Sequence, residues 1–186
     1  MKPLAFAAAL LLPFSAQADN YSIDPRHTLP SFEISHLGLS TQRGYFEKSR
    51  GRVSLDLAAH SGSVELEIEV DSLRLGDADW SRHMVFDEGF FDVVKFPTMR
   101  FKSDKLIFAG EQLVGAEGQF TLRDVTRPLR LEIAHFRCAP HPLTRQTLCG
   151  ADVTATLKRS EFGMGKFSSM IGDEVKITAP VEARKE

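Results

Sequence analysis

The sequence predicts an all-β fold of about eight or nine antiparallel strands with one short helix. Three observations favour this class: apolar and polar residues alternate through most of the chain, turn signals separate these stretches, and only one stretch has a helical pattern. Many antiparallel strands with one apolar face must either stack as two sheets or close on themselves. The run from about Tyr45 to Leu57 is longer than a sandwich strand usually is, so a barrel is favoured.

Each predicted element has its own local signal. Between residues 63 and 73, for example, Val64, Leu66 and Ile68 alternate with glutamates, as in a half-buried strand. Turn signals such as Asp24-Pro25 and Arg127-Pro128 separate the elements. In chain order, the predicted strands are LPSFEISHL (29–37), RGRVSLDL (50–57), SVELEIEVDSL (63–73), TMRFKSDKLIF (98–108), QLVGAEGQFTL (112–122), LRLEIAHF (129–136), LCGADVTATLKR (148–159) and EVKITAPVEA (174–183). The stretch GDADWSRHMVFD (76–87) predicts a helix of two or three turns.

The first residues have the pattern of a secretory signal peptide. Lys2 precedes an apolar run, and Ala16-Gln17-Ala18 forms a small-x-small cleavage site. We therefore expect residues 1–18 to be removed and residues 19–186 to form one domain in the periplasm or outside the cell. The apolar run is shorter than the roughly 20 residues that a membrane-spanning helix needs, so no transmembrane segment is predicted.

Charge and cysteine content narrow the class further. The chain has 23 Lys and Arg against 25 Asp and Glu, interleaved along its length, so it lacks the basic stripe that nucleic-acid binding requires. Cys138 and Cys149 flank a proline-containing loop, and an exported protein meets an oxidising compartment. We expect them to form a disulfide across the ends of a hairpin, which would stabilise the fold by roughly 3 kcal/mol.

Nothing in the sequence predicts a nucleophilic or metal-dependent enzyme. There is no G-x-S-x-G motif, and no serine has a recognisable nucleophile context. A cluster of His27, His36 and His83 is geometrically conceivable, but no two histidines have the close spacing typical of metal ligands. We therefore expect no catalytic residue and no metal site.

A group of carboxylates, Asp87, Glu88 and Asp92, lies beside the aromatic pair Phe90 and Phe91. These carboxylates have the chemistry of a general acid and base. The favoured interpretation is that they cap the helix, accept bonds from turn amides, or pair with nearby Arg82, Lys95 and Arg100.

The aromatic content leaves two interpretations open. The chain has 14 phenylalanines against two tyrosines and one tryptophan, and they are spread over nearly every predicted element. Phenylalanine offers apolar surface without a polar group. Composition alone therefore fits a large aromatic core and the wall of an elongated pocket equally well.

Four segments resemble the YceI-like family of bacterial proteins: IDPRHTLPSFEISHLGLSTQRGYF, RHMVFDEGFFDVVKFPTMRFKS, GQFTLRDVTRPLRLEI and KRSEFGMGK followed by IGDEVKI. They stand in the family's order and cover nearly all of residues 19–186. The resemblance implies an eight-stranded antiparallel lipocalin-like barrel with one short helical insertion, and a long apolar cavity for a polyisoprenoid or another long-chain amphiphile. It also implies a periplasmic location and no established enzymatic activity. No cofactor is implied, although a bound isoprenoid lipid or quinone-like molecule fits the cavity. The insert CAPHPLTRQTLC is present in only some members.

The resemblance and strand parity together predict the binding residues. A long-chain ligand needs an apolar lining, because each buried methylene contributes roughly 0.8 kcal/mol. The predicted lining consists of Phe32, Ile34, Phe46, Val53, Leu55, Leu66, Ile68, Met99, Phe101, Phe120, Leu131 and Ile133. Trp80, Met84, Phe90 and Phe91 are predicted to plug or rim the cavity, and His27, His36 and Arg82 are the polar candidates for a head group.

Three functions remain open at this point. The first is a carrier or store for an isoprenoid lipid. The second is an enzyme or accessory factor of isoprenoid or quinone metabolism, and the third is a stress-related structural module without a ligand. The sequence also leaves a homodimer open.

Overall fold

The computed structural model describes residues 18–186, so the predicted signal peptide lies, except for Ala18, outside the described residues. Strands dominate the described part of the chain, with one α-helix. The strands are β1 (Asp19–Ile23), β2 (Ser31–His36), β3 (Ser40–Phe46), β4 (Ser49–Asp56), β5 (Ser61–Glu69), β6 (Leu73–Arg74), β7 (Thr98–Ala109), β8 (Gln112–Leu122), β9 (Val125–Pro140), β10 (Thr147–Lys158) and β11 (Ile171–Lys185). The α-helix is α1 (Ala78–Phe86), and 3₁₀ turns occupy Val70–Ser72 and Arg159–Phe162.

The strands close into one barrel. The order β1-β4-β5-β7-β8-β9-β10-β11 is completed by pairing between β1 and β11, and every pairing is antiparallel. Closure pairs each of these eight strands on both sides, which protects their edges from pairing with another chain. The prediction of an eight-stranded antiparallel barrel with one short helical insertion is confirmed.

Three neighbouring strands of the barrel are each interrupted part of the way along. β2 continues from β1 after residues 24–30, β4 continues from β3 after two residues, and β6 continues from β5 after the first 3₁₀ turn. Side chains bond the backbone at these breaks: the Ser49 hydroxyl donates to the Thr28 carbonyl oxygen (2.8 Å), and Ser72 Oγ accepts from the Lys48 N–H (3.1 Å). The run from Tyr45 to Leu57, expected as one long strand, is therefore divided between β3 and β4, and neither β1 nor residues 40–44 of β3 were predicted as strand.

The two ends of the barrel differ. Turns at residues 57–60, 110–111 and 141–146 lie at one end, where the disulfide joins Cys138 to Cys149 across the β9–β10 ladder. The predicted disulfide is thus confirmed, and we name this the disulfide end. The β2–β3 hairpin, α1 and residues 159–170 lie at the opposite end, named the helix end.

The helix fills a gap in the barrel wall. In the described chain β6 pairs only with β3, and no ladder joins it to β7. Asp77 caps α1 by accepting the Trp80 N–H (2.7 Å), and the buried Ser81 and Val85 hold the helix against β6 and the first 3₁₀ turn. Among the described residues, no helix has the length and apolarity needed to cross a bilayer.

Candidate ligand-binding cavity

An apolar cavity of about 530 Å³ runs through the barrel. It reaches Tyr21 and Ala183 at the disulfide end and Trp80, Phe167 and Met170 at the helix end. Its volume falls within the roughly 300–1,000 Å³ of small-molecule sites. The interior of this barrel is therefore a chamber bounded by side chains, and the phenylalanines contribute to its wall.

All sixteen apolar residues that the sequence predicted as lining, plug or rim border this cavity. Period-two alternation explains the agreement, because every second residue of a barrel strand points inward. Their place in the wall is observed, and their contact with a ligand stays a prediction.

The pair Phe90 and Phe91 wedges the helix end against the cavity. Phe91 is buried, its N–H donates to the Met84 carbonyl oxygen (3.3 Å), and its ring meets the Phe46 ring edge to face at 5.7 Å. Phe90 is 3% exposed and lies 6.2 Å from the ring of Phe167. These contacts join α1, β3 and the segment 159–170 around the opening, which we call the mouth.

Polar side chains border the cavity near the mouth. His36, Gln42 and His83 belong to the lining and come from β2, β3 and α1. His36 was expected there, whereas Gln42 and His83 were not assigned to the head group. Strand parity and the resemblance gave no reason to single out Gln42, and His83 was considered only as a metal ligand.

Two of the three predicted head-group residues lie outside the cavity lining. His27 lies in the break between β1 and β2, where alternation no longer determines direction, and its ring pairs outside the cavity with Asp24 (3.0 Å). Arg82 is on the solvent face of α1, with its guanidinium 5.9 Å from the centre of the Phe86 ring. Neither residue borders the cavity.

Arg159, which sequence reasoning missed, is a buried arginine in the lining, with an exposed fraction of 3%. Its guanidinium donates to the carbonyl oxygens of Gly172 (2.8 Å), Ile171 (2.9 Å), Lys166 (3.0 Å) and Met164. Burial lowers the pKa of Arg159, and the charge of Asp173 opposes that shift. Since its N–H groups are bonded to backbone, Arg159 fixes the course of residues 164–172 beside the mouth.

The carboxylates near the aromatic pair form ion pairs and turn bonds, as the favoured interpretation proposed. Asp87 accepts from Lys166 Nζ (2.5 Å) and from the Gly89 N–H (2.7 Å), and these bonds hold its pKa below the ordinary aspartate value. Asp92 accepts from Lys95 Nζ at 3.0 Å.

Arg100 was also expected to pair with one of these carboxylates. Arg100 pairs instead with Glu67 across the β5–β7 ladder (2.7 Å), so its expected role at this turn is wrong.

One group of potential metal ligands occurs among residues 18–186: Asp24, His27 and Glu182, whose ligand atoms lie within 4.8 Å of one another. Asp24 already accepts bonds from the Arg26 N–H (3.0 Å), from His27 and from Arg184. Burial raises the pKa of Asp24, but these bonds outweigh it and leave the pKa below the ordinary value. The group is therefore an ion-paired cluster, and the three histidines considered from sequence are not brought together.

The closed barrel and its long internal chamber define a class of β-barrel proteins with an enclosed apolar binding site. A family model described as the YceI-like domain matches residues 21–183. A UPF0312 protein of Pseudomonas savastanoi is 32% identical over 164 residues, covering 87% of this chain and 84% of that protein. A UPF0312 protein of Vibrio cholerae is 29% identical over 164 residues, covering 87% and 86%. The chain belongs to the YceI-like family.

Solved structures show the same fold. BcnA of Burkholderia cenocepacia matches with a TM-score of 0.72 and 23% identity over 86% of this chain and 98% of that one. A YceI protein of Campylobacter jejuni matches with a TM-score of 0.70 and 21% identity, covering 82% and 90%. A domain of Saccharophagus degradans, described as polyisoprenoid binding and implicated in plant cell wall breakdown, matches with a TM-score of 0.65 and 13% identity, covering 89% and 98%.

Proposed function

We propose that this chain is an exported binding protein that holds a polyisoprenoid or another long-chain amphiphilic lipid in its barrel cavity, as a carrier or a store. The observation that carries the proposal is the continuous apolar chamber of about 530 Å³ that extends from the mouth to the disulfide end. A preformed apolar chamber binds chains by removing their surface from water, at roughly 0.8 kcal/mol per methylene.

The shape of the chamber favours a long chain over a compact ligand. Along β11 the lining extends from Ile171 to Ala183, which is about 40 Å of strand at about 3.3 Å per residue. Because barrel strands tilt by about 40°, the chamber is about 30 Å long along the barrel axis. An extended hydrocarbon chain matches such a chamber, with its polar end near His36, Gln42 and His83 at the mouth.

The composition of the lining favours binding over catalysis. The lining within residues 18–186 contains no Asp, Glu or Lys, and Arg159 donates its N–H groups to backbone carbonyls. An enzyme of isoprenoid or quinone metabolism would need a positioned acid, base or nucleophile beside the chain, whereas the lining histidines, His36 and His83, border the chamber near its mouth. The open chamber also disfavours a filled structural module, whose interior would be occupied by its own side chains.

Two further observations support this ligand class and location. The Saccharophagus degradans domain that shares this fold is described as polyisoprenoid binding. The signal-peptide pattern of residues 1–18 and the Cys138–Cys149 disulfide both suit an oxidising compartment such as the periplasm.

The decisive experiment starts from protein exported and purified in its native host. Native mass spectrometry should show a mass above that of the polypeptide, and organic extraction should recover a long-chain lipid. Incubation of the complex should return the lipid chemically unchanged, whereas turnover would favour the enzyme. Recovery of no lipid from well-folded protein would refute the proposal.

A further inference from the structure

Large apolar side chains are exposed around the mouth. Leu37 and Leu39 on the β2–β3 hairpin, Trp80 on α1, and Phe167 and Met170 on the segment 159–170 form what we call the apolar rim. Their exposed fractions are 49%, 84%, 38%, 45% and 43%. All of them except Leu39 also line the cavity, so the rim is continuous with the chamber. Exposed apolar patches of this kind mark interaction surfaces.

The backbone of the rim adopts positive φ angles at residue types that rarely have them. Leu37 and Gly38 are the central residues of a turn closed by the Leu39 N–H and the His36 carbonyl oxygen (3.0 Å), with φ of 57° and 66°. Turns with both central residues at positive φ prefer Asn-Gly or Asp-Gly. Phe167 also has a positive φ, of 55°. The other described non-glycine residues with positive φ are His, Asp or Arg, so only the rim places exposed apolar side chains in this costly conformation within residues 18–186.

Charge at the rim is compatible with a lipid surface. The whole chain has slightly more acidic than basic residues, yet residues 35–42 and 162–171 contain no Asp or Glu and carry Lys166 and His36. On α1, Asp79 is balanced by Arg82. Neither tip therefore presents a carboxylate of its own to the phosphates of a membrane surface, and the Lys166 ammonium beside the rim is paired with Asp87 (2.5 Å).

We propose that the apolar rim docks the barrel, mouth first, onto the surface of a phospholipid bilayer. The rim side chains enter the boundary between head groups and acyl chains, as the apolar faces of interfacial segments do. A lipid chain then passes between bilayer and chamber without crossing water. Transfer of a lipid chain rests on the proposed function, whereas docking is measured with vesicles and the protein alone.

The test uses Trp80, which is the only tryptophan of the chain. Vesicles of phosphatidylethanolamine and phosphatidylglycerol should shift its emission to shorter wavelength, and acyl chains carrying bromine should quench it. Leu39→Ser removes the most exposed side chain of the rim without touching the lining, and should weaken vesicle binding about tenfold or more. The matched control is Leu143→Ser, because Leu143 is 87% exposed in the loop at the disulfide end. It should bind vesicles like the unaltered chain.

Three results would overturn the docking proposal. They are no quenching of Trp80, equal vesicle binding by Leu39→Ser and the unaltered chain, and a dimer that buries Trp80 and dissociates on Leu39→Ser. The last would show that a second copy covers the rim. Extraction separates this proposal from the function: vesicle binding without recovered lipid supports docking and refutes the cargo. Recovered lipid without vesicle binding refutes docking alone.

Discussion

A cavity-filling substitution, Ala179→Phe, tests whether the chamber binds the ligand. Ala179 is on β11 opposite Val153 of β10, lines the cavity and is 7% exposed. A phenyl ring at this position enters the chamber roughly two-thirds of the way from Ile171 to Ala183. It would occupy space that the end of a long chain needs.

The expected loss follows from the size of the ring. If the ring displaces about five or six methylenes of the ligand, at about 0.8 kcal/mol each, binding weakens by about 4–5 kcal/mol. That corresponds to a loss of about a thousandfold in Kd. Because the ring enters open space, the free energy of unfolding of the empty protein should change by less than about 1 kcal/mol.

Two matched substitutions serve as controls. Ala155 is also 7% exposed but does not line the cavity, so Ala155→Phe should lower the free energy of unfolding by about 1–3 kcal/mol through overpacking. Ala134 is exposed on the outer face of β9, so Ala134→Phe should leave binding unchanged.

The assay is calorimetric titration with a series of isoprenoid alcohols of increasing chain length, alongside urea unfolding. Affinity for the unaltered chain should rise with each added unit, and for Ala179→Phe it should stop rising at a shorter length. Full affinity in Ala179→Phe for the longest alcohols would refute binding inside the chamber. Equal destabilisation by the Ala155 and Ala179 substitutions would show that the chamber is not open space.

Three further predictions concern stability. The Cys138→Ala, Cys149→Ala double variant should lose about 2.8 kcal/mol, calculated from the loop entropy for a separation of 11 residues. Urea unfolding with and without reductant checks this, and reductant should not affect the double variant. Asp87→Asn should lose up to about 1 kcal/mol at neutral pH, because Asp87 pairs with the partly exposed Lys166. The pKa of Asp87 is lowered by the Lys166 bond and then by the Gly89 N–H, so this stabilisation should disappear as the pH falls below the ordinary aspartate value of 3.8. If Asp87→Asn remained less stable than the unaltered chain in acid, the loss could not be assigned to the ion pair. Gly118→Ala should cost about 1–3 kcal/mol in unfolding experiments, since the added Cβ would lie 2.3 Å from the Lys102 carbonyl oxygen. An unchanged free energy of unfolding would show that the β7–β8 backbone can move to accommodate the added Cβ.

Period-two alternation predicted most of this barrel because it records which face of a strand is buried. The interruption between β3 and β4 was not predicted, although the positions of the apolar residues indicate it. In one continuous strand, Phe46 and Val53 would point to opposite faces, yet both line the cavity. The two-residue interruption before Ser49 shifts the alternation by one and turns both side chains inward.

The residues at the mouth were harder to predict for a different reason. Gln42, Phe167 and Met170 are placed there by the meeting of segments that are distant in sequence. Within residues 18–186, the side-chain hydrogen bonds of Arg159 all go to backbone carbonyls, so a search for ion pairs would not have found it. Its bonds go to carbonyl oxygens of a turn whose course alternation does not determine.

The gap between β6 and β7 has a consequence for the proposed binding of a lipid. At the disulfide end, backbone ladders join every neighbouring pair of strands around the barrel, with register shifts in the β7–β8 and β9–β10 ladders. At the helix end, among the described residues, no ladder joins β6 to β7, and α1 packs against β6 and the first 3₁₀ turn. Widening the barrel at the helix end requires a shift of packed side chains, whereas widening it at the disulfide end would break backbone hydrogen bonds between strands. The proposed ligand should therefore be able to vary in size at the end that lies in the mouth, whereas the thickness of the end that lies near the disulfide should be limited.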